Sequence, residues 1–403
     1  MTRLPSRLQP AWPLVKRLHR LASFLLGLVG RQSSRFAGDR ALPRRATSRS
    51  AQTAQREPEV TLTTADAGEL LRRPLAQGTP PAHWIFDEAT SFDVAPRFTL
   101  SVPRGIALGD YGAVITAQGT LDFETSEYFG IESWREHPLY LRPRLPQVEE
   151  FDGTLAVLAT RGGSYNYYHF LLDVLPRYGV LRDSLGDVEL DGLYVPSDTG
   201  WQQTLLAMTG LDQHKLIPAR KHSAVQAERL LVPSLPNPKE VAPTATVTWL
   251  RERLPAGDLS GRPRRIYVTR GQVPNSRRLV REAELLPLLA ERGFVCVEPG
   301  GLSIQEQIDT FAAAEVVVAP HGAALTNLVF ASPGVRVLEL FPAEFVKACF
   351  WAISQSIPGA QHSYLVGGDV AAHGPGSAMN KIQADIHLDP EEIVAAVDRL
   401  LAI

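Results

Sequence analysis

The chain has 403 residues, of which 44% are hydrophobic and 21% charged, with a formal charge of −2. That size and apolar share exceed what one core needs and suit two medium-sized domains. The near-neutral total hides an asymmetry: residues 1–50 hold eleven Lys/Arg against one acid, Asp39, for a net of +10, so the remainder carries −12 and a globally basic nucleic-acid binder is excluded.

The basic leader surrounds one apolar run, Leu21 to Val29. About nine residues cannot cross a bilayer, which takes about 20. With Lys16, Arg17, Arg20 and Arg31 around it, segment 14–31 suits peripheral contact with an anionic membrane as a surface-lying helix; a basic leader without fixed structure fits the same composition. Arg31-Gln32-Ser33-Ser34-Arg35 makes a poor signal-peptide cleavage site. Residues 51–81 are Thr-, Ala- and Pro-rich, so residues 1–80 read as leader and linker.

Residues 83–128 alternate apolar and polar positions in short pieces separated by Gly105, Gly109, Gly112 and Gly119, the pattern of hairpins or a small meander decorating the first domain. From Leu155 the pattern changes to strands (Leu155–Ala159, Leu193–Val195, Arg229–Val232) alternating with helices (His169–Leu181, Trp201–Thr209), which predicts a mainly parallel sheet. The first domain spans 81–250. Four prolines between Pro233 and Pro243 mark the region where the chain crosses between domains.

The second domain, 258–403, reads more cleanly: strand Arg265–Thr269, helix Glu282–Arg292, strand Phe294–Val297, then a helix Ser303–Ala314 opened by a Ser303/Glu306 capping box. Asp389-Pro390 opens a last helix through Leu401, with Asp as cap and Pro at the first helical position. Cys296 and Cys349 lie in apolar contexts and read as core thiols in a reducing compartment, the cytoplasm.

Strand Val316–Ala319 runs into a turn of His321, Gly322, Ala323 and Ala324, a helix from about Thr326, and a strand Val335–Leu340. Small residues at a helix start leave main-chain N–H groups open and put the positive end of the helix dipole beside them, which attracts phosphate. His321 and Asn327 add polar side chains there; Asn327 is equally suited to holding the turn. No Gly-x-Gly-x-x-Gly and no Walker loop follows any strand, against a dinucleotide-linked oxidoreductase or a P-loop enzyme.

Arg270, Ser276-Arg277-Arg278, Leu302 to Gln307, His321 to Asn327 and Glu339, with Asn166 to Arg177 upstream, occur in one order that resembles glycosyltransferase family 61. The likeness spans roughly 98–366. It departs from the family at Ala324, where glycine is common, and at Ser276. The resemblance implies two Rossmann-like α/β domains facing a cleft (GT-B type), a nucleotide-sugar donor, a glycan acceptor, an inverting mechanism and a role in capsular or exopolysaccharide biosynthesis. The alternative it leaves is a nucleotide-sugar or glycan-binding protein of polysaccharide assembly without turnover.

Transfer from a nucleotide sugar must stabilise a departing diphosphate and deprotonate an acceptor hydroxyl. No Asp-x-Asp is present to carry a metal, so no metal or cofactor is expected, and the first demand falls on Arg270, Arg277, the turn amides of Gly322, Ala323 and Ala324, and a hydrogen bond from His321. Ser276 is a further hydroxyl donor. Glu339 is suited to ribose hydroxyls or to pairing with Arg336. For the second demand, His169 and Asp173 are four apart on one helix face, with Asn166 at the helix start on the acceptor side; either is a candidate base, and a simple Asp173–Arg177 salt bridge is the competing structural role.

Overall fold

The computed structural model describes residues 12–33, 38–78, 83–271, 277–343, 345–368 and 384–402; Ser276 lies outside them. The chain divides into two compact units: Pro13–Glu69 with Ala95–Asn237, and Leu70–Val94 with Pro238–Ile403.

The first unit is built on a ten-stranded sheet. Its strands are β1 (Arg45–Thr47), β2 (Thr61–Thr64), β3 (Phe98–Pro103), β4 (Ile106–Leu108), β5 (Ala113–Ile115), β6 (Thr120–Asp122), β7 (Glu149–Val157), β8 (Gly192–Val195), β9 (Leu216–Pro218) and β10 (Ala224–Pro233). Strands β10, β7, β8 and β9 are mutually parallel. Antiparallel β3 and β4 both pair with β10, so the meander expected as decoration extends the main sheet. The reason is burial: alternate residues of β3, β4 and β5, such as Leu100, Val102, Ala107 and Val114, enter the same core as Leu155, Val157 and Leu230.

Residues 13–69, expected as leader and linker, carry a helix α1 (Trp12–Ser33) and strands β1 and β2 of this sheet. Asp122, fully buried, explains part of that order. Its carboxylate accepts from Ser50 Oγ (2.8 Å), Thr53 Oγ1 (2.5 Å) and Thr125 Oγ1 (2.7 Å), tying the leader to β6.

The second unit holds a six-stranded parallel sheet. Five of its strands are β11 (Arg265–Val268), β12 (Val295–Val297), β13 (Val316–Pro320), β14 (Arg336–Pro342) and β15 (Gln361–Gly367), in the order β12-β11-β13-β14-β15; Gln77–Gly78 adds to β15. Every residue of β13 is buried, as a strand covered on both faces requires. Both elements of the Ser303/Glu306 capping box form, and Asp389 caps the helix Pro390–Leu401. Cys349 is buried as expected of a core thiol, but Cys296 is exposed because the outer strand β12 turns it to solvent.

Candidate functional site

In the first unit the chemistry gathers where the chain leaves β7. Gly162 (φ +78°) lies so close to the imidazole of His169 that an added Cβ would sit 2.6 Å from Cδ2. Asn166 then caps the turn Tyr167–His169 by accepting from Tyr168 N at 2.9 Å, so its carboxamide oxygen serves the backbone. A π-helical turn, Phe170–Val174, follows before helix α2 (Pro176–Leu185), with Leu175 N donating to Phe170 O. Such one-residue insertions recur at functional sites.

His169 Nδ1 lies 2.6 Å from Asp173 Oδ2. The other carboxylate oxygen accepts from Asn237 Nδ2 at 2.9 Å, and that amide also reaches Tyr168 OH at 3.2 Å. His169, Asp173 and Asn237 are all buried, and the Phe129 ring leans on the imidazole with centroids 4.9 Å apart. With Nδ1–H held by the carboxylate, Nε2 of a neutral imidazole is the acceptor. The Asp173–Arg177 salt bridge does not form. Arg177, fully buried, gives its N–H groups to Pro233 O and Ala159 O, and burial pushes its pKa down to about 9. Two backbone carbonyls at the ends of β7 and β10 outcompete the aspartate because they lie in α2's own packing contact.

The second unit's site forms at the carboxyl ends of β11, β13 and β14, where parallel sheets bind ligands. Arg270 Nη1 donates to His321 O at 2.9 Å and Arg277 Nε to the same oxygen at 3.0 Å. Arg270 Nε is buried without a hydrogen-bond partner. Gly322 is required by this approach: its φ of 174° suits any residue, but an added Cβ would lie 1.6 Å from Arg270 Nη1. Burial lowers the pKa of Arg270, and burial plus the charge of Arg270 brings Arg277 to about 10, so both remain cations at neutral pH.

The His321 side chain turns inward, against the expectation that it donates to phosphate. It is 4% exposed and packed among Phe341, Phe345 and Phe350, with ring centroids 4.9–5.4 Å away. Its Nδ1 lies 2.5 Å from Glu339 Oε1, and Glu339 Oε2 lies 3.1 Å from His362 Nε2. Glu339, fully buried, therefore has both oxygens taken by histidines and does not pair with Arg336, which instead donates to Leu400 O. Ser354 Oγ gives its one proton to Trp351 O, so His362 Nδ1 donates to Ser354 and His362 Nε2 accepts from a protonated Glu339. Burial pushes in the same direction, raising Glu339 and lowering His321 and His362, the latter to about 3. This assigns His321 Nε2 a lone pair, which cannot donate to an anion.

The helix after Gly322 is a 3₁₀ helix starting at Ala323, three residues earlier than expected. Ala323 is exposed and Ala324 half-buried, so the residues that open the helix lie at the surface. Asn327, fully buried, bonds Gln307 and Ala324 O and holds the turn. Sequence reasoning missed His362, Ser354 and the phenylalanine cage, and in the first unit Asn237 and Tyr168. Asn237 hid in the proline-rich crossing; the signal for His362 was its place on an alternating strand two positions before Tyr364.

Among the described residues no cluster of three or more His, Cys, Asp or Glu is arranged to hold a metal ion. Residues 167–338 match the family model Glycosyltransferase 61, which supports assignment of that segment to the family. No curated protein matches the chain in sequence. A solved structure, the dodecameric iron-containing heptosyltransferase TibC in complex with ADP-D-beta-D-heptose, superposes with a TM-score of 0.33 at 10% identity, covering 84% of this chain and 98% of that one, too distant a likeness to carry fold or function across.

Proposed function

We propose that this protein is a family 61 glycosyltransferase of GT-B type that moves a sugar from a nucleotide-sugar donor to a glycan hydroxyl, with inversion and without a metal, in cytoplasmic capsular or exopolysaccharide biosynthesis. The observation that carries the reading is the pair of half-buried arginines, Arg270 and Arg277, converging on one carbonyl at a glycine that clears the approach. Burial raises the pKa of the neighbouring Glu339, whose two oxygens are taken by His321 and His362, so it is poorly suited to neutralise them, and a diphosphate would.

In this reading the donor's diphosphate contacts Arg270, Arg277 and the N–H groups of Ala323 and Ala324, while the sugar acceptor is served by the first unit. His169 Nε2 takes the proton of the acceptor hydroxyl, that oxygen forms the new bond to the anomeric carbon, and the bond to the diphosphate breaks with its electrons going to the leaving oxygen. Asp173 stabilises the imidazolium without taking the proton itself.

The test is a thermal-shift screen of nucleoside diphosphates and their sugars, followed by detection of released nucleotide with glycan acceptors. A donor that stabilises the protein and is consumed only when acceptor is present supports the reading. Donor turnover abolished by a chelator and restored by a divalent ion overturns the metal-independent mechanism, and failure of every nucleotide to bind overturns the donor site.

A further inference from the structure

We propose that helix α1 is a surface anchor that lies along an anionic lipid bilayer. Of the fourteen large apolar side chains left exposed among the described residues, eight are on this one helix. Leu14, Leu18, Leu21, Leu25 and Leu28 recur at four- and three-residue steps and, with Val29, are 43–67% exposed. That spacing places them on one stripe about 22 Å long at about 1.5 Å per residue.

The opposite face is already occupied within the unit. Ser23, Gly27 and Gly30 are buried; a Cβ on Gly30 would meet Leu42 Cδ1 at 2.9 Å, and Arg20 binds both carboxylate oxygens of Glu136 at 3.0 Å. The leucine stripe therefore points outward because the small residues hold the helix down. No helix among the described residues is long and apolar enough to cross a membrane. What selects lipid over a second copy of the chain is charge: the helix contains no acid, its segment carries a net +10, and among its cations Arg17 is exposed beside the stripe. Two copies packed stripe to stripe would bring these cations together, whereas phosphatidylglycerol headgroups complement them while the leucines enter the acyl boundary.

The experiment is co-sedimentation of the full chain with vesicles of phosphatidylcholine alone or mixed with phosphatidylglycerol, beside ultracentrifugation without lipid. The wild type should partition to the mixed vesicles and sediment as the same species as its variants. Leu18→Glu/Leu25→Glu should lose roughly a hundredfold in partitioning with an unchanged melting temperature, since it adds charge only to exposed positions. Should that variant misfold, Arg17→Glu decides, with an expected loss of roughly tenfold on mixed vesicles and none on neutral ones. Wild type left in the supernatant, full binding by a folded variant, or a lipid-free dimer that the leucine substitutions dissociate would each overturn the anchor.

Discussion

Nδ1 of His169 sits 2.6 Å from one oxygen of Asp173, and the other oxygen of that carboxylate is taken by Asn237, so the aspartate is fully engaged in orienting the imidazole. In the proposed mechanism this division gives His169 the role of base and Asp173 that of its positioning group. Replacing Asp173 with Asn keeps the shape but removes the negative charge and turns one of the two acceptor oxygens, needed by His169 and Asn237, into a donor. Turnover should fall roughly 10²–10⁴-fold with little change in donor affinity. Steady-state kinetics that showed the loss in KM instead would place Asp173 in substrate binding.

Arg270→Ala should act on the opposite quantity. A charge-assisted contact to phosphate contributes about 2–3 kcal/mol, so affinity for the nucleoside diphosphate should fall by roughly 30–150-fold. Calorimetry with the diphosphate alone reads this without an acceptor. Affinity unchanged within twofold would remove Arg270 from the donor site.

Gly322→Ala tests the approach itself. The added methyl would overlap Arg270 Nη1, so the guanidinium must leave the carbonyl of His321. The variant should bind diphosphate as poorly as Arg270→Ala while losing only about 1–3 kcal/mol of stability. Wild-type binding together with a wild-type melting temperature would show that the guanidinium is placed by other contacts.

Acid should destabilise the fold from about pH 6.5 downward. His137 and His362 are buried, and desolvation brings each to about 3, so below their ordinary value of 6.5 the unfolded chain takes up protons that the folded chain refuses. The stability their neutral forms contribute is whole above 6.5 and drains as pH falls toward 3, at roughly 1.4 kcal/mol per unit for each histidine. Glu339, raised by burial, has the opposite sign and loses stability as pH rises above its ordinary value. Denaturant melts from pH 7.5 to 4 should show the histidine slope; a flat profile, with or without His137→Phe, would contradict it.

The second unit's sheet was readable because each signal was local: the Ser303/Glu306 box, the Asp389-Pro390 start and the continuous apolar run of β13 act within a few residues. The role of residues 13–69 was not, since a leader of ordinary polarity becomes structure only through partners such as Asp122 and Glu136, 69 or more positions away. The candidate site divides the same way. His169 and Asp173 are one helical turn apart and announce themselves, whereas Glu339 and His362 meet across adjacent strands, and the inward turn of the His321 ring depends on three phenylalanines that no short pattern links to it.

The π-helical turn Phe170–Val174 has a consequence for how this segment can vary. One extra residue there rotates everything downstream by about 100° relative to an unbroken α-helix. That offset lets a single continuous stretch send His169 toward Asp173 and Asn237 while Arg177 reaches the strand ends at Ala159 and Pro233. Shortened by one residue, the segment could satisfy its chemical end or its anchoring end, but not both.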